Sequence, residues 1–177
     1  PLPLCLSLSD SIIKQVEQHR LLGLIVDNHL LWKDHINHIC KKISKNLFML
    51  AKLKPLTDTN TRKVFYNAHV RSHVDYASTV WDGSSDANLK RLNALHRRAA
   101  KLILYEPNLS TENKLKRLEI LPLPLHLQFN KAVFMYKLIK EPSPSYLSSK
   151  FSCVSSKGSR YENQLRLPRP RLDIFKC

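Results

Sequence analysis

Three stretches of apolar residues at three- and four-residue spacing constrain this chain more than any other feature. Wound at about 100° per residue, Trp32, Ile36, Ile39, Ile43, Leu47 and Leu50 fall within about 80° of one another. Lys41, Lys45 and Lys52 fall on the opposite side. A second stripe, Tyr66, Val70, Val74, Ala77 and Trp81, predicts a helix over 60–81 that stops at Asp82-Gly83. A third, Leu92, Leu95, Ala99, Leu102 and Ile103, opposes Lys90, Arg91, Arg97, Arg98 and Lys101 and closes at Glu106-Pro107. Lys54-Pro55 ends the first helix; Thr57, Asp58 or Thr59 can cap the second, and Ser84, Ser85 or Asp86 the third. Helices with such stripes bury them against one another, so the expected fold is mainly α.

The flanks are less regular. Leu2 to Leu8 and Arg20 to Val26 read as short extended runs around a polar, partly helix-compatible stretch, and two strands alone do not make a domain. Thr111 to Leu121 and Leu125 to Lys140 predict two more amphipathic helices, parted by Pro122 and Pro124. From Pro142 the chain turns to Ser, Pro, Lys and Arg, too polar to fold alone. The expected organisation is a β-hairpin remnant over 1–31, a three-helix bundle over 32–106, a helical pair over 107–141 and a basic, irregular tail over 142–177. At 177 residues the chain can bury one core, and its three glycines argue against a hairpin-rich all-β fold or a phosphate-cradling loop.

Charge points to a partner. Lys and Arg number 29 against 14 Asp and Glu, a formal net charge of +15, so the surface attracts polyanions. No apolar run reaches the roughly 18–20 residues of a membrane span and no signal-peptide pattern opens the chain, which favours an intracellular nucleic-acid binder, nuclear or cytoplasmic, over a membrane protein. Acids are few on the two basic helix faces, so the cations there are not salt-bridge lacing. Lys41, Lys45, Lys52, Lys90, Arg91, Arg97, Arg98 and Lys101 are therefore the candidate phosphate-contacting residues.

Catalytic signals are missing. The sequence contains no adjacent Asp-Asp, no GxSxG and no P-loop, so the chain is expected to be inactive by itself. Asp27, which ends LGLIVD, reads as a cap or turn residue leading into the helix at Trp32. His35 and His38 with Cys40, and His69 with His73, raise a zinc site, but third and fourth ligands are not apparent and none is predicted. Cys5, Cys40, Cys153 and Cys177 lack CxxC spacing and read as free thiols, Cys40 as core.

The order of motifs carries a resemblance. LLGLIVDNHLLWKDHINHICKKISKNLFML is similar to the palm–thumb join of LINE-type, jockey-like non-LTR retrotransposon reverse transcriptases, through Leu22, Gly23, Asp27, Leu31, Trp32, His35 and Ile36. YNAHVRSHVDYASTVWDG resembles that family's second thumb helix through Tyr66, Val74, Tyr76 and Trp81. LKRLNALHRRAAKLIL resembles its next helix through Leu89, Leu92, Leu95, Arg97, Arg98, Ala99 and Ile103. FMYKLIKEPSPSYL resembles its C-terminal helix and PxY turn. Departures are Arg20 and Leu21 in place of Lys and Tyr, His96 in place of Gln, and no Trp-containing C-terminal motif.

The resemblance implies a fragment of an RNA-directed DNA polymerase without its catalytic aspartates. It contributes sequence-independent binding of template-primer: RNA, DNA or an RNA–DNA hybrid. The parent polymerase would use Mg2+, and the missing palm and fingers would be partners. Pro1 in place of an initiator methionine and the polar stretch at Cys177 both read as cuts. The alternative is a recruited helical protein-interaction module with no nucleic-acid role.

Overall fold

The computed structural model of the chain describes residues 6–8, 11–13, 15–141 and 144–151. Two antiparallel hairpins open it: β1 (Leu6–Leu8) pairs Leu6 with Ile13 of β2 (Ser11–Ile13), and β3 (Gln18–Leu21) pairs Gln18 with Asp27 of β4 (Leu24–Asp27). The run Arg20 to Val26 is therefore not one strand. It folds back at Leu22-Gly23, with φ of 47° and 86°, as a two-residue hairpin loop requires of both central residues. Gly23 accepts that conformation freely, whereas Leu22 does so against its Cβ. Because Leu22 is 82% exposed, Leu22→Asn relieves the strain with little loss of burial. We expect it to raise stability by about 0.5–1 kcal/mol in a urea melt.

Asp27 turns the chain into the first helix. Its carboxylate accepts the backbone N–H of His29 (3.1 Å), Leu31 (2.9 Å) and Trp32 (2.8 Å). The Leu31 N–H is the largest influence holding this carboxyl below its usual range; burial opposes it, and the Trp32 and His29 N–H groups reinforce it. α1 (Lys33–Leu53) follows and buries Ile36, Ile39, Ile43, Leu47 and Leu50, as its periodicity predicts. Cys40 is also buried and free, while Cys5, Cys153 and Cys177 lie outside the described residues.

The helix predicted over 60–81 is interrupted twice. α2 (Thr59–Tyr66), capped by Asp58 through the Thr61 N–H (3.0 Å), runs through a π-helical turn (Asn67–Arg71) into α3 (Ser72–Asp75). Tyr76 is then extended, Ala77 is left-handed, and α4 (Ser78–Trp81) begins. Side chains explain the break: the indole N–H of Trp81 takes the Tyr76 carbonyl at 3.0 Å, and the Tyr76 hydroxyl donates to the Leu22 carbonyl. Beside the break, Asp75 accepts from His126 and from Asn130 (3.1 Å), and Asn130 also donates to Ser78 Oγ (3.1 Å). An unbroken helix would pull these groups apart.

α5 (Asp86–Ile103) buries Leu92, Ala99 and Ile103. α6 (Thr111–Arg117) starts at a Ser110 cap and is shorter than predicted. Glu119, at φ 56°, lets the Ile120 N–H reach back to the Leu115 carbonyl (2.9 Å) and closes the helix in a Schellman turn. α7 (Leu123–Lys140) starts two residues earlier than predicted. Pro124 is accommodated in its first turn, where a helical N–H has no partner to lose.

The chain divides into two compact units, 1–131 and 132–177. In the first, α1, the second helical segment, α5, α6 and the start of α7 share one core, with Trp81, Tyr66, Ile36, Leu92, Ile103 and Leu123 almost wholly buried. In the second, the described residues are the end of α7 and a short helix, α8 (Ser145–Ser148), inside the stretch predicted to be irregular. Of that predicted tail, residues 142–143 and 152–177 lie outside the described residues. No helix among the described residues is long and apolar enough to cross a membrane.

Two buried polar groups tie the core together. Arg62 of α2 is 9% exposed and donates to the Ile103 carbonyl (3.0 Å), the Lys54 carbonyl (2.8 Å), the Thr57 carbonyl (2.6 Å) and Thr59 Oγ1 (3.1 Å). One guanidinium thus serves the C-terminal ends of both α1 and α5, where helix carbonyls lack intrahelical donors and carry partial negative charge.

His96, where the resemblance expects Gln, bonds the Tyr66 hydroxyl through Nδ1 (3.0 Å) and the Leu121 carbonyl through Nε2 (2.9 Å). A neutral ring satisfies both: Nε2–H donates to the carbonyl and Nδ1 accepts from the hydroxyl. Burial pushes the His96 pKa down, partly opposed by the Leu121 carbonyl. The unfolded chain therefore binds this proton at a higher pH than the folded one, and stability is complete above about pH 6.5 and falls as pH drops through that value. In phosphate-free buffer we expect urea stability to decline below pH 6.5, with up to about 1.4 kcal/mol per pH unit from this residue, and His96→Gln to make the decline shallower by that share, the rest coming from the likewise depressed His35, His38 and His73.

Candidate nucleic-acid interface

The helix that carries Lys41, Lys45 and Lys52 is held by its apolar side, so its lysines are forced outward. All three are exposed, as are Lys90, Arg91, Arg97, Arg98 and Lys101 on α5. α1 packs directly against α5. Asn37 near the start of α1 accepts from Arg91 near the start of α5, and Arg62 bridges their far ends, so the two helices run in the same sense. Each therefore offers its basic stripe along its length, on the side away from the shared core.

These eight side chains are not equivalent. Arg97 is paired with Glu112 of α6 (3.1 Å), and Arg91 is engaged by Asn37. Lys41, Lys45, Lys52, Lys90, Arg98 and Lys101 make no ion pair among the described residues. Other cations are committed: Lys63 to Glu119, Arg71 to Asp75, Arg117 to Glu106 and Lys131 to Asp82. Arg20, Lys33, Lys42, Lys116, Lys137, Lys140 and Lys150 are exposed and make no ion pair among the described residues either, so what sets the two stripes apart is the alignment of their cations along two packed helices.

Lys41 and Arg91 also share a cavity of about 580 Å³ with Gln18, Ile25, Asn37 and Ser44, between the second hairpin, α1 and α5. Asp34, His38 and the buried Cys40 line it too. Burial pushes the Cys40 thiol up, against the pull of the Arg91 charge, so the thiol stays protonated and unreactive.

Sequence reasoning passed over Phe48. It is 62% exposed and stands at four- and three-residue spacing in the line Lys41, Lys45, Phe48, Lys52, with the Lys52 ammonium 5.6 Å from its ring centroid. The signal was present: at about 100° per residue Phe48 falls among the lysines and not in the apolar stripe. An exposed aromatic inside a basic line is suited to contact sugars or unstacked bases.

Among the described residues no three His, Cys, Asp or Glu side chains converge to hold a metal ion. Asp27 directs its carboxylate to backbone N–H groups.

The arrangement places unpaired lysines and arginines on two co-aligned helices, with the exposed Phe48 in the α1 line. Compared with known proteins, the chain matches no family model, no curated sequence and no solved structure.

Proposed function

We propose that the chain is the thumb and C-terminal region of a LINE-type reverse transcriptase and that its own activity is sequence-independent binding of a template-primer duplex. The observation that carries the binding reading is the set of six unpaired cations, Lys41, Lys45, Lys52, Lys90, Arg98 and Lys101, on the outer faces of α1 and α5. Charges without acidic partners on a rigid surface bind phosphates without reading bases. A polymerase thumb needs that property, because the duplex must slide after each addition. An RNA–DNA hybrid is close to A-form, with a broad minor groove open to sugar and backbone contacts. The polymerase assignment rests on the motif order over about residues 20–150, and Asp27, Trp32 and Trp81, which carry part of it, are structural in this fold.

The test is fluorescence polarisation with a labelled RNA–DNA hybrid. The proposal expects binding at low salt that weakens steeply as salt rises. A second reading, the recruited protein-interaction module, is favoured by one observation: α7 leaves Leu125, Phe129, Phe134, Tyr136 and Ile139 exposed. It expects no hybrid binding at any salt, and partner binding that survives exchange of Lys90, Arg97, Arg98 and Lys101 for glutamine.

A further inference from the structure

Two histidine groups far apart in sequence meet at one cavity. α1 docks against the second helical segment and the β3–β4 hairpin, and a space of about 210 Å³ remains between them. Arg20 of β3, His35, His38 and Lys42 of α1, and His73 and Tyr76 of the second segment line it. No acidic residue does so among the described residues.

The ring of His35 is 2% exposed, and its Nδ1 accepts the Ile25 N–H at 3.3 Å. A neutral ring bonded in that way carries its proton on Nε2. That Nε2 is buried, and nothing among the described residues accepts from it; His38 Nε2 is likewise buried and unpartnered. A buried N–H donor left unmet is destabilising, so His35 Nε2–H calls for an acceptor, and His38 offers a second donor in the tautomer that carries its proton on Nε2. The flanking cations decide its charge: a neutral acceptor would leave Arg20 and Lys42 unmatched, and a metal cation would be repelled by them.

The charged and titratable groups around the cavity are Arg20 from β3, His35, His38, Lys41 and Lys42 from α1, and His69, His73 and Tyr76 from the second segment; Asp34, one turn before His38 on α1, faces the adjoining cavity that His38 also lines. Burial first, and then positive charge from the neighbours, holds His35, His38 and His73 below the usual imidazole range. Donors reach the space from three sides, which suits a tetrahedral oxyanion with several acceptor oxygens.

We propose that this cavity is a phosphate-binding pocket in which His35 and His38 donate from Nε2 to the phosphate oxygens while Arg20, Lys42 and His73 balance the charge. It is separate from the two lysine and arginine stripes and does not depend on their function. A free phosphate ion and the terminal phosphomonoester of a nucleic-acid strand both present this chemistry.

The full chain, labelled with ¹⁵N in its histidines, tests it. Inorganic phosphate is titrated in at constant ionic strength, with chloride as the control, and the imidazole nitrogens are followed by NMR. Phosphate should produce saturable shifts at His35, His38 and His73 and leave His19 and His29 in place. It should also raise the midpoints of the shifted histidines by about one pH unit. Lys42→Gln, at an exposed position, should weaken phosphate binding about tenfold without unfolding the chain. Competition by a 5′-phosphorylated oligonucleotide but not by its 5′-hydroxyl counterpart identifies the strand terminus as the source; competition by neither identifies the free ion. Imidazole shifts that are absent, or equal in chloride, would overturn the proposal, as would an unchanged affinity in Lys42→Gln. His38→Gln leaves every stripe cation in place, so loss of phosphate binding with hybrid binding intact separates this pocket from the duplex surface.

Discussion

Replacing Arg62 with methionine is expected to destabilise the chain by about 3–5 kcal/mol, the largest effect of any single substitution considered. The guanidinium is the donor for the Lys54, Thr57 and Ile103 carbonyls and the Thr59 hydroxyl. Methionine fills much of the volume but donates nothing, and each carbonyl left buried and unpaired costs about 1–3 kcal/mol, less where water can reach it. Lysine should recover only part of the loss, since one ammonium cannot span acceptors on two helix ends as a planar fork does. A domain of this size has about 5–15 kcal/mol of stability in total, so Arg62→Met should shift the urea midpoint far down and fray the C-terminal ends of α1 and α5 first in hydrogen exchange. A stability within about 1 kcal/mol of the parent would show that Arg62 is not the clamp the geometry makes it.

Exchanging Lys90, Arg98 and Lys101 for glutamine should weaken binding of an RNA–DNA hybrid about 10²-fold near 0.1 M salt while leaving the melt unchanged. All three are exposed and make no ion pair among the described residues, so removing their charge costs the fold little. Arg97→Gln should do less, because Glu112 already neutralises that side chain. Equal losses from the Lys90, Arg98 and Lys101 exchange and from Arg97→Gln alone would mean that the ion pair does not decide which cations are available.

The parts of this fold that were legible in the sequence are those set by one-sided burial. Ile36, Ile43 and Leu47 on α1, and Leu92, Ala99 and Ile103 on α5, sit inside because the period of the helix leaves them no other side to face. The eight candidate cations sit outside for the same reason. What was not legible depends on partners distant in the chain or on conformations that the residue disfavours. Leu22-Gly23 lacks the Asn-Gly or Asp-Gly signature of a tight hairpin, so one apparent strand concealed a turn. The break at Tyr76-Ala77 is stabilised by Leu22 on one side and by His126 and Asn130 on the other, and an apolar stripe is silent about either. Arg62 among Thr59, Asn60 and Thr61 reads as one more solvated charge until the ends of α1 and α5 are brought to it. The His35, His38 and His73 cavity was visible only as two separate groups, His35 and His38 with Cys40, and His69 with His73.

The most direct measurement of the central claim is the salt dependence of hybrid binding, followed by polarisation between about 50 and 200 mM salt. With six unpaired cations on the stripes, the plot of log affinity against log salt should be linear with a slope of about −4 to −5, and the exchange of Lys90, Arg98 and Lys101 should reduce its magnitude by about two to three. No binding at the lowest salt, or an affinity indifferent to salt, would contradict the account.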